Sequence, residues 1–261
     1  MHIDLTDQYH HRESLIHHLD PRVKVVVTLF FILVVGLVRN GSWISFGALF
    51  LMILGYAAVS RLGVFYAVRR SIIAIPFLLA AAPLPFIIPG PALISFPALN
   101  LTISEPGTIR FVSILLRTFI SVQAGILLAA ATPFPDLVWG MCALRIPRPL
   151  VAVIAFMYRY IIVLADEALR LMRARTSRSP EIPGKGKPSL IWRGRVTGSM
   201  VGSLFLRSLD RSERIYGAMA SRGYDGDMRS YSTFHMRGSD WSSLIVFSLL
   251  ILGSLSLMFL R

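Results

Sequence analysis

Five stretches of the chain are too long, too apolar and too free of charge to fold as exposed elements in water. Val25 to Val38, Trp43 to Val59, Ser71 to Ala82 and Trp241 to Leu260 contain no charged side chain, and Phe111 to Ala131 contains one, Arg117. A bilayer core is crossed by about 20 mainly apolar helical residues. With no water inside it, each backbone N–H and C=O must be satisfied within the protein, which a helix does on its own. With 54% hydrophobic and 16% charged residues, an ordinary soluble domain is excluded. The expected fold is an all-α integral membrane protein.

The ends of these stretches carry local signals. Asp20 is a good N-cap, Pro21 suits a first helical turn and Lys24 can snorkel to the interface. More than twenty mainly polar residues precede the first apolar run, unlike a cleavable signal peptide. They include His2, His10, His11, His17 and His18. Neither cysteine nor a close carboxylate cage accompanies these histidines, so a solvated, partly helical surface segment is expected rather than a metal-handling tail. Arg39 to Ser42 reads as a turn, with Trp43 at the interface. Arg61, Arg69 and Arg70 mark a basic loop. The third span contains Pro76 and runs into Pro83, Pro85, Pro89 and Pro91, so it should kink and end extended. Leu99, Leu101 and Ile103 alternate with Asn100 and Thr102, which predicts a short strand or hairpin. Arg117 costs roughly 2.5–3.5 kcal/mol on insertion scales, so it should snorkel or pair within the bundle. The single cysteine, Cys142, excludes an internal disulfide and a thiolate metal cluster.

The second half is different. Pro135 and Asp136 start a short helix towards Arg145, and Ile146-Pro147-Arg148-Pro149 breaks it. Leu150 to Ala174 reads as one long helix. Its first part, Val151 to Ala165, is apolar except for Tyr158-Arg159-Tyr160. It is expected along or partly inside the cytoplasmic interface, with a sixth span as the alternative topology. Ser177 to Pro188 is a Pro, Gly and Lys loop whose Gly184-Lys185-Gly186-Lys187 lacks P-loop spacing, so ATP binding by this chain is not expected. A second long helix runs from about Leu190 to Ser221. Val201, Leu204, Phe205, Ile215 and Met219 mark its apolar side and Arg207, Arg211 and Arg214 its polar side. Gly223 is a natural stop.

The net charge is +13. No nucleic-acid-binding motif accompanies it, and a membrane chain crowds its arginines on the cytoplasmic face. Pro133 to Asp240 holds 17 Lys and Arg against nine Asp and Glu, so it should face the cytoplasm. An inside N-terminus and four spans bring the chain back inside before it, and a fifth span leaves Arg261 outside. The expected division is a cytoplasmic or interfacial segment over 1–24, four spans over 25–131, a cytoplasmic helical domain over 132–240 and a final span over 241–260.

That domain contains a repeated phrase. One helix ends in Ala174-Arg175-Thr176 and the other in Ser221-Arg222-Gly223. Small neighbours let a partner backbone approach, and a guanidinium offers a fixed fork of donors to carboxylates or carbonyls. Two such helices could dock two equivalent grooves, but basic C-terminal ends of ordinary surface helices would look the same.

The pair resembles the Ala-Arg-Gly signature of the transmembrane T component of energy-coupling factor (ECF) transporters. Glu213 to Gly226, His18 to Lys24, and the Leu144-Arg145-Ile146-Pro147 lead-in to a helix carrying Tyr158-Arg159-Tyr160 are also similar to that family. Thr176 and Ser221 depart from its motif. The resemblance implies a cytoplasmic coupling domain with two arginine-tipped helices. Two ABC ATPases would receive them, docking on Ala174, Arg175, Thr176, Ser221, Arg222 and Gly223. Asp20, Pro21, Arg22, Lys24, Pro147 and Arg159 would be family motif residues. A separate membrane S component would bind the substrate. This chain would hold no cofactor or metal and perform no catalysis, with ATP and Mg belonging to the ATPases. It would lie in a bacterial or archaeal plasma membrane. The short opening from Asp4 to Tyr9 is most similar to the cobalt-type branch, CbiQ, which implies a cobalt or nickel partner, with a vitamin importer as the alternative. Two other classes stay open. A membrane enzyme acting on an anionic substrate would use Asp166, Glu167, Asp225 or Asp227. An ion channel would draw on the broken third span and Arg117.

Overall fold

The computed structural model describes residues 14, 16–17, 19–60, 63–96, 101–178, 189–226, 234 and 236–256. His2, His10, His11, His18, Arg61, Asn100, the Gly184–Lys187 stretch, Asp227 and Arg261 lie outside them. Among the described residues the regular structure is helical apart from one β-hairpin, and the chain divides into two compact units, each taken separately below.

The first unit is a helical bundle. Helix α1 spans Pro21–Leu37 and α2 Trp43–Val59. As expected, Asp20 caps α1, its carboxylate accepting from the Arg22 N–H at 2.9 Å, with Pro21 in the first turn. The expected third span starts early and is segmented: α3 (Val64–Arg70), a 3-10 turn (Ser71–Ala74), α4 (Ile75–Ala81) and α5 (Leu84–Ile87). Pro76 has no N–H for the carbonyl four residues back, and the chain tightens before it. The basic loop is corrected here, since Arg69 and Arg70 form the last turn of α3. Strands β1 (Ala92–Phe96) and β2 (Leu101–Ser104) pair antiparallel, Phe96 opposite Leu101, which is the predicted hairpin.

Helix α6 spans Glu105–Ala131, starting six residues before the expected span because Ser104 caps it, accepting from Gly107 N–H at 3.3 Å. Gly107 also lets α5 approach. A Cβ there would lie 2.8 Å from the Leu84 carbonyl oxygen and 2.8 Å from the Pro85 Cα. Helix α7 is Phe134–Ala143 and packs on α1, and α10 is Gly238–Ser256. Phe31, Val34, Phe46, Leu49, Ile120, Leu127 and Ile251 fill the space between α1, α2, α6 and α10. The outer faces are equally apolar, with Leu33, Leu51 and Leu249 all exposed. A helix that is greasy all round is built for lipid rather than water. α6, α8 and α10 are long and apolar enough to cross a membrane, and α2 is a shorter apolar helix.

The second unit is built from α8 (Arg148–Arg178) and α9 (Leu190–Ala220). It begins at Arg145, and α7 packs with the bundle. Arg145 itself adopts a left-handed φ of 63°. By length and composition α8 can span a bilayer, so the sixth-span alternative keeps its basis.

Candidate functional site: the arginine-bearing ends of two long helices

Helices α8 and α9 run antiparallel. Arg175 of α8 reaches Thr197 near the start of α9, Nη1 to Oγ1 at 3.4 Å. Towards the middle, Glu167 of α8 takes Arg207 at 3.0 Å and Arg211 at 3.8 Å. The half-buried residues of α9 include Val196, Met200, Leu204, Ser208, Arg211, Ile215 and Met219, the spacing of one helical face. Glu167, one of the carboxylates named for the enzyme alternative, is engaged in ion pairs that join the two helices.

The two motifs sit differently on their helices. The second one ends its helix. Gly223 N–H bonds the Ala220 carbonyl and Tyr224 N–H bonds the Met219 carbonyl, both at 3.0 Å, with Gly223 at φ +83°. This is a Schellman arrangement, in which a left-handed glycine lets the chain turn back on its last carbonyls. Arg222 therefore sits in the turn just past Ala220, the last residue of α9, and it is exposed. The first motif lies inside its helix, which continues to Arg178. Thr176 cannot make that turn cheaply. Its hydroxyl instead donates to the Arg173 carbonyl at 2.7 Å, and Ser177 does so at 3.1 Å. Ala174 is exposed and Arg175 half-buried, while Ser221 bonds the Ala218 carbonyl at 3.0 Å.

The arginines are also far apart. Arg175 is level with Thr197, and 25 residues of α9 separate Thr197 from Arg222, about 37 Å at 1.5 Å per residue. They cannot share one small anionic ligand. Pro147 accepts from Leu150 N–H at 3.0 Å and so caps the start of α8. Arg159 is exposed, its guanidinium 5.9 Å from the Tyr160 ring centroid.

The N-terminal motif belongs to the bundle. Asp20 N–H donates to the Asp240 carboxylate at 3.2 Å, and that carboxylate also accepts from Arg237 N–H at 2.8 Å. Arg22 stacks over Trp139 at 4.3 Å, and Trp139 meets Phe234 at 4.9 Å. The Lys24 ammonium, buried rather than snorkelling, donates to the His17 carbonyl at 3.0 Å and the Ala131 carbonyl at 3.4 Å. The motif thus ties the start of α1 to α6, α7 and α10. Asp240 and Trp139 were not evident from sequence, since nothing local marks a partner more than 100 residues away.

A family model described as cobalt transport protein, CbiQ, matches residues 12–232. Among curated relatives, a cobalt transport protein CbiQ of Rhodobacter capsulatus is 28% identical over 59% of this chain and 62% of its own length. An energy-coupling factor transporter transmembrane protein, EcfT, of Thermanaerovibrio acidaminovorans is 27% identical over 96% and 94%. The EcfT of Lactococcus lactis is 24% identical over 95% and 94%. A match running from residue 12 to residue 232 of a 261-residue chain settles the relationship, and the protein belongs to the CbiQ family.

Proposed function

We propose that this chain is the T component of an ECF-type importer, carrying ATP-driven motion from two cytoplasmic ABC ATPases to a substrate-binding membrane S component. The observation that carries the reading is the spacing of Arg175 and Arg222. Two guanidiniums about 37 Å apart along a paired helix fit two separate docking grooves. ATP and Mg are held by the ATPases, and this chain is a non-catalytic subunit. Its bundle crosses a bacterial or archaeal plasma membrane about five times, with the α8–α9 unit and the N-terminus on the cytoplasmic side, as its arginine excess favours. Ala174, Thr176, Ser221 and Gly223 flank the docking arginines and keep the approach open.

The cobalt or nickel assignment rests on the CbiQ match. The second reading, in which the S component carries a vitamin, stands beside it, since the EcfT-named relatives that match over nearly the whole chain carry no cobalt name. Copurification with an ABC ATPase pair tests the scaffold reading. Wild type should retain both ATPases, and Arg175→Ala with Arg222→Ala should lose them while still inserting in the membrane. Retention unchanged by the double substitution would refute it. Uptake of radioactive cobalt against biotin, by the assembled complex, separates the two substrates.

A further inference from the structure

Beyond Glu167, towards the start of α8 and the end of α9, a groove of about 520 Å³ lies between the two helices. Ala152, Phe156, Tyr160 and Leu164 line one wall, four residues apart along a single stripe of α8. Ile215 and Met219 line the other. The stripe is about 18 Å long at 1.5 Å per residue. It belongs to the apolar part of α8, the helix that is long and apolar enough to lie in a bilayer.

At one end the groove becomes charged. Leu164, Ser208 and Arg211 also line a second cavity of about 150 Å³, together with Arg207, Arg214, Glu167 and Asp210. Three guanidiniums face two carboxylates there, an excess of one positive charge. Tyr160, Tyr216 and Tyr224 border the apolar part, the residue type that prefers the level of lipid headgroups. An apolar slot running into a pocket with one surplus positive charge has the form of a singly anionic amphiphile.

We propose that the α8–α9 groove binds an anionic phospholipid. One acyl chain lies along Ala152, Phe156 and Leu164, and the phosphate lies at Arg211 and Arg214. The occupant is a lipid because the apolar wall is part of a membrane-compatible helix, and an anionic one because of the charge at its end. The inference does not depend on the importer reading, since lipid retention and ATPase retention are separate measurements.

The test is native mass spectrometry of the full-length chain released from bilayer discs of phosphatidylcholine containing equal phosphatidylglycerol. Wild type should retain one phosphatidylglycerol in preference to phosphatidylcholine. One surplus positive charge at a membrane surface is worth roughly a fivefold preference, which Arg211→Gln with Arg214→Gln should remove. Ser212→Trp, at an exposed position on the groove wall, should expel both lipids. Circular dichroism of each variant reports folding. Equal retention of the two lipids by wild type would overturn the proposal. So would retention unaffected by Ser212→Trp, or a second copy of the chain in place of lipid.

Discussion

The guanidinium of Arg117, in the middle of α6, lies 2.6 Å from the carbonyl oxygen of Val38 at the C-terminal end of α1. It also reaches the Asn40 side chain at 3.4 Å. The last carbonyls of a helix have no intrahelical donor and carry its negative pole. A cation placed on them solves two problems of burial in one contact. Arg117→Leu removes the donor and leaves the carbonyl orphaned, so unfolding in detergent should show a loss of about 1–3 kcal/mol. Arg117→Lys, which keeps the charge, should lose less. Equal losses for the two variants would show that the contact is packing alone.

The same contact shows what the sequence could and could not reveal. The one charge in an otherwise apolar run marked Arg117 as paired or snorkelling, but Val38 is 79 residues away and nothing local points to it. Asp20 and Pro21 were readable because an N-cap and a first-turn proline act on their own backbone. The hairpin was readable from the alternation of Leu101 and Ile103 with Thr102. Arg69 and Arg70 misled because basic residues usually mark a loop, whereas here they close α3, where the helix dipole favours cations. At the candidate site, Thr176 already stood out in the sequence as a departure from the motif's glycine, and the structure shows its consequence, a first helix that runs on to Arg178. The difference rests on one residue, glycine at 223 and threonine at 176, and on whether each can adopt a left-handed turn.

That difference predicts unequal responses. Gly223→Ala places a Cβ at φ +83°, which costs roughly 1–2 kcal/mol. The last turn of α9 should fray and Arg222 should lose its fixed position, so ATPase retention should fall while membrane insertion is unchanged. Thr176→Gly sits inside a continuing helix and should cost no more than about 1 kcal/mol of helix propensity. Its effect on ATPase retention should be the smaller of the two. Retention of the two ATPases by each variant, measured side by side, checks the order.

Glu167 gives a prediction about coupling rather than stability. Its partners reach solvent, Arg207 at 59% and the half-buried Arg211 at 37% of side-chain surface, and solvent-accessible ion pairs contribute about 0–1 kcal/mol. Glu167→Gln should therefore leave thermal unfolding nearly unchanged. If the proposed function holds, it should lower substrate uptake per ATP hydrolysed, because the two helices then move less as one body. Uptake and hydrolysis in liposomes containing the assembled complex measure that ratio. An unchanged ratio would confine Glu167 to local packing.

Lys24 anchors the other unit, and its replacement has a distinct signature. Lys24→Met breaks the bond to the His17 carbonyl and leaves the buried Ala131 carbonyl without its lysine donor, and a buried orphan costs about 1–3 kcal/mol. It also takes a positive charge away from Asp136, Asp20 and Asp240. Burial already holds the Asp136 carboxyl above its ordinary range, with Lys24 pulling it back down. A carboxyl raised in the folded state binds its proton more readily there than in the unfolded chain. Acid therefore favours the fold between the unfolded and folded values, and that gain is lost as pH rises. Without Lys24 the carboxyl rises further and the window widens. Lys24→Met should be destabilised at neutral pH and recover part of the loss on mild acidification, more than wild type gains over the same range. Adding Asp136→Asn should abolish the extra recovery, and unfolding midpoints at paired pH values in detergent decide it.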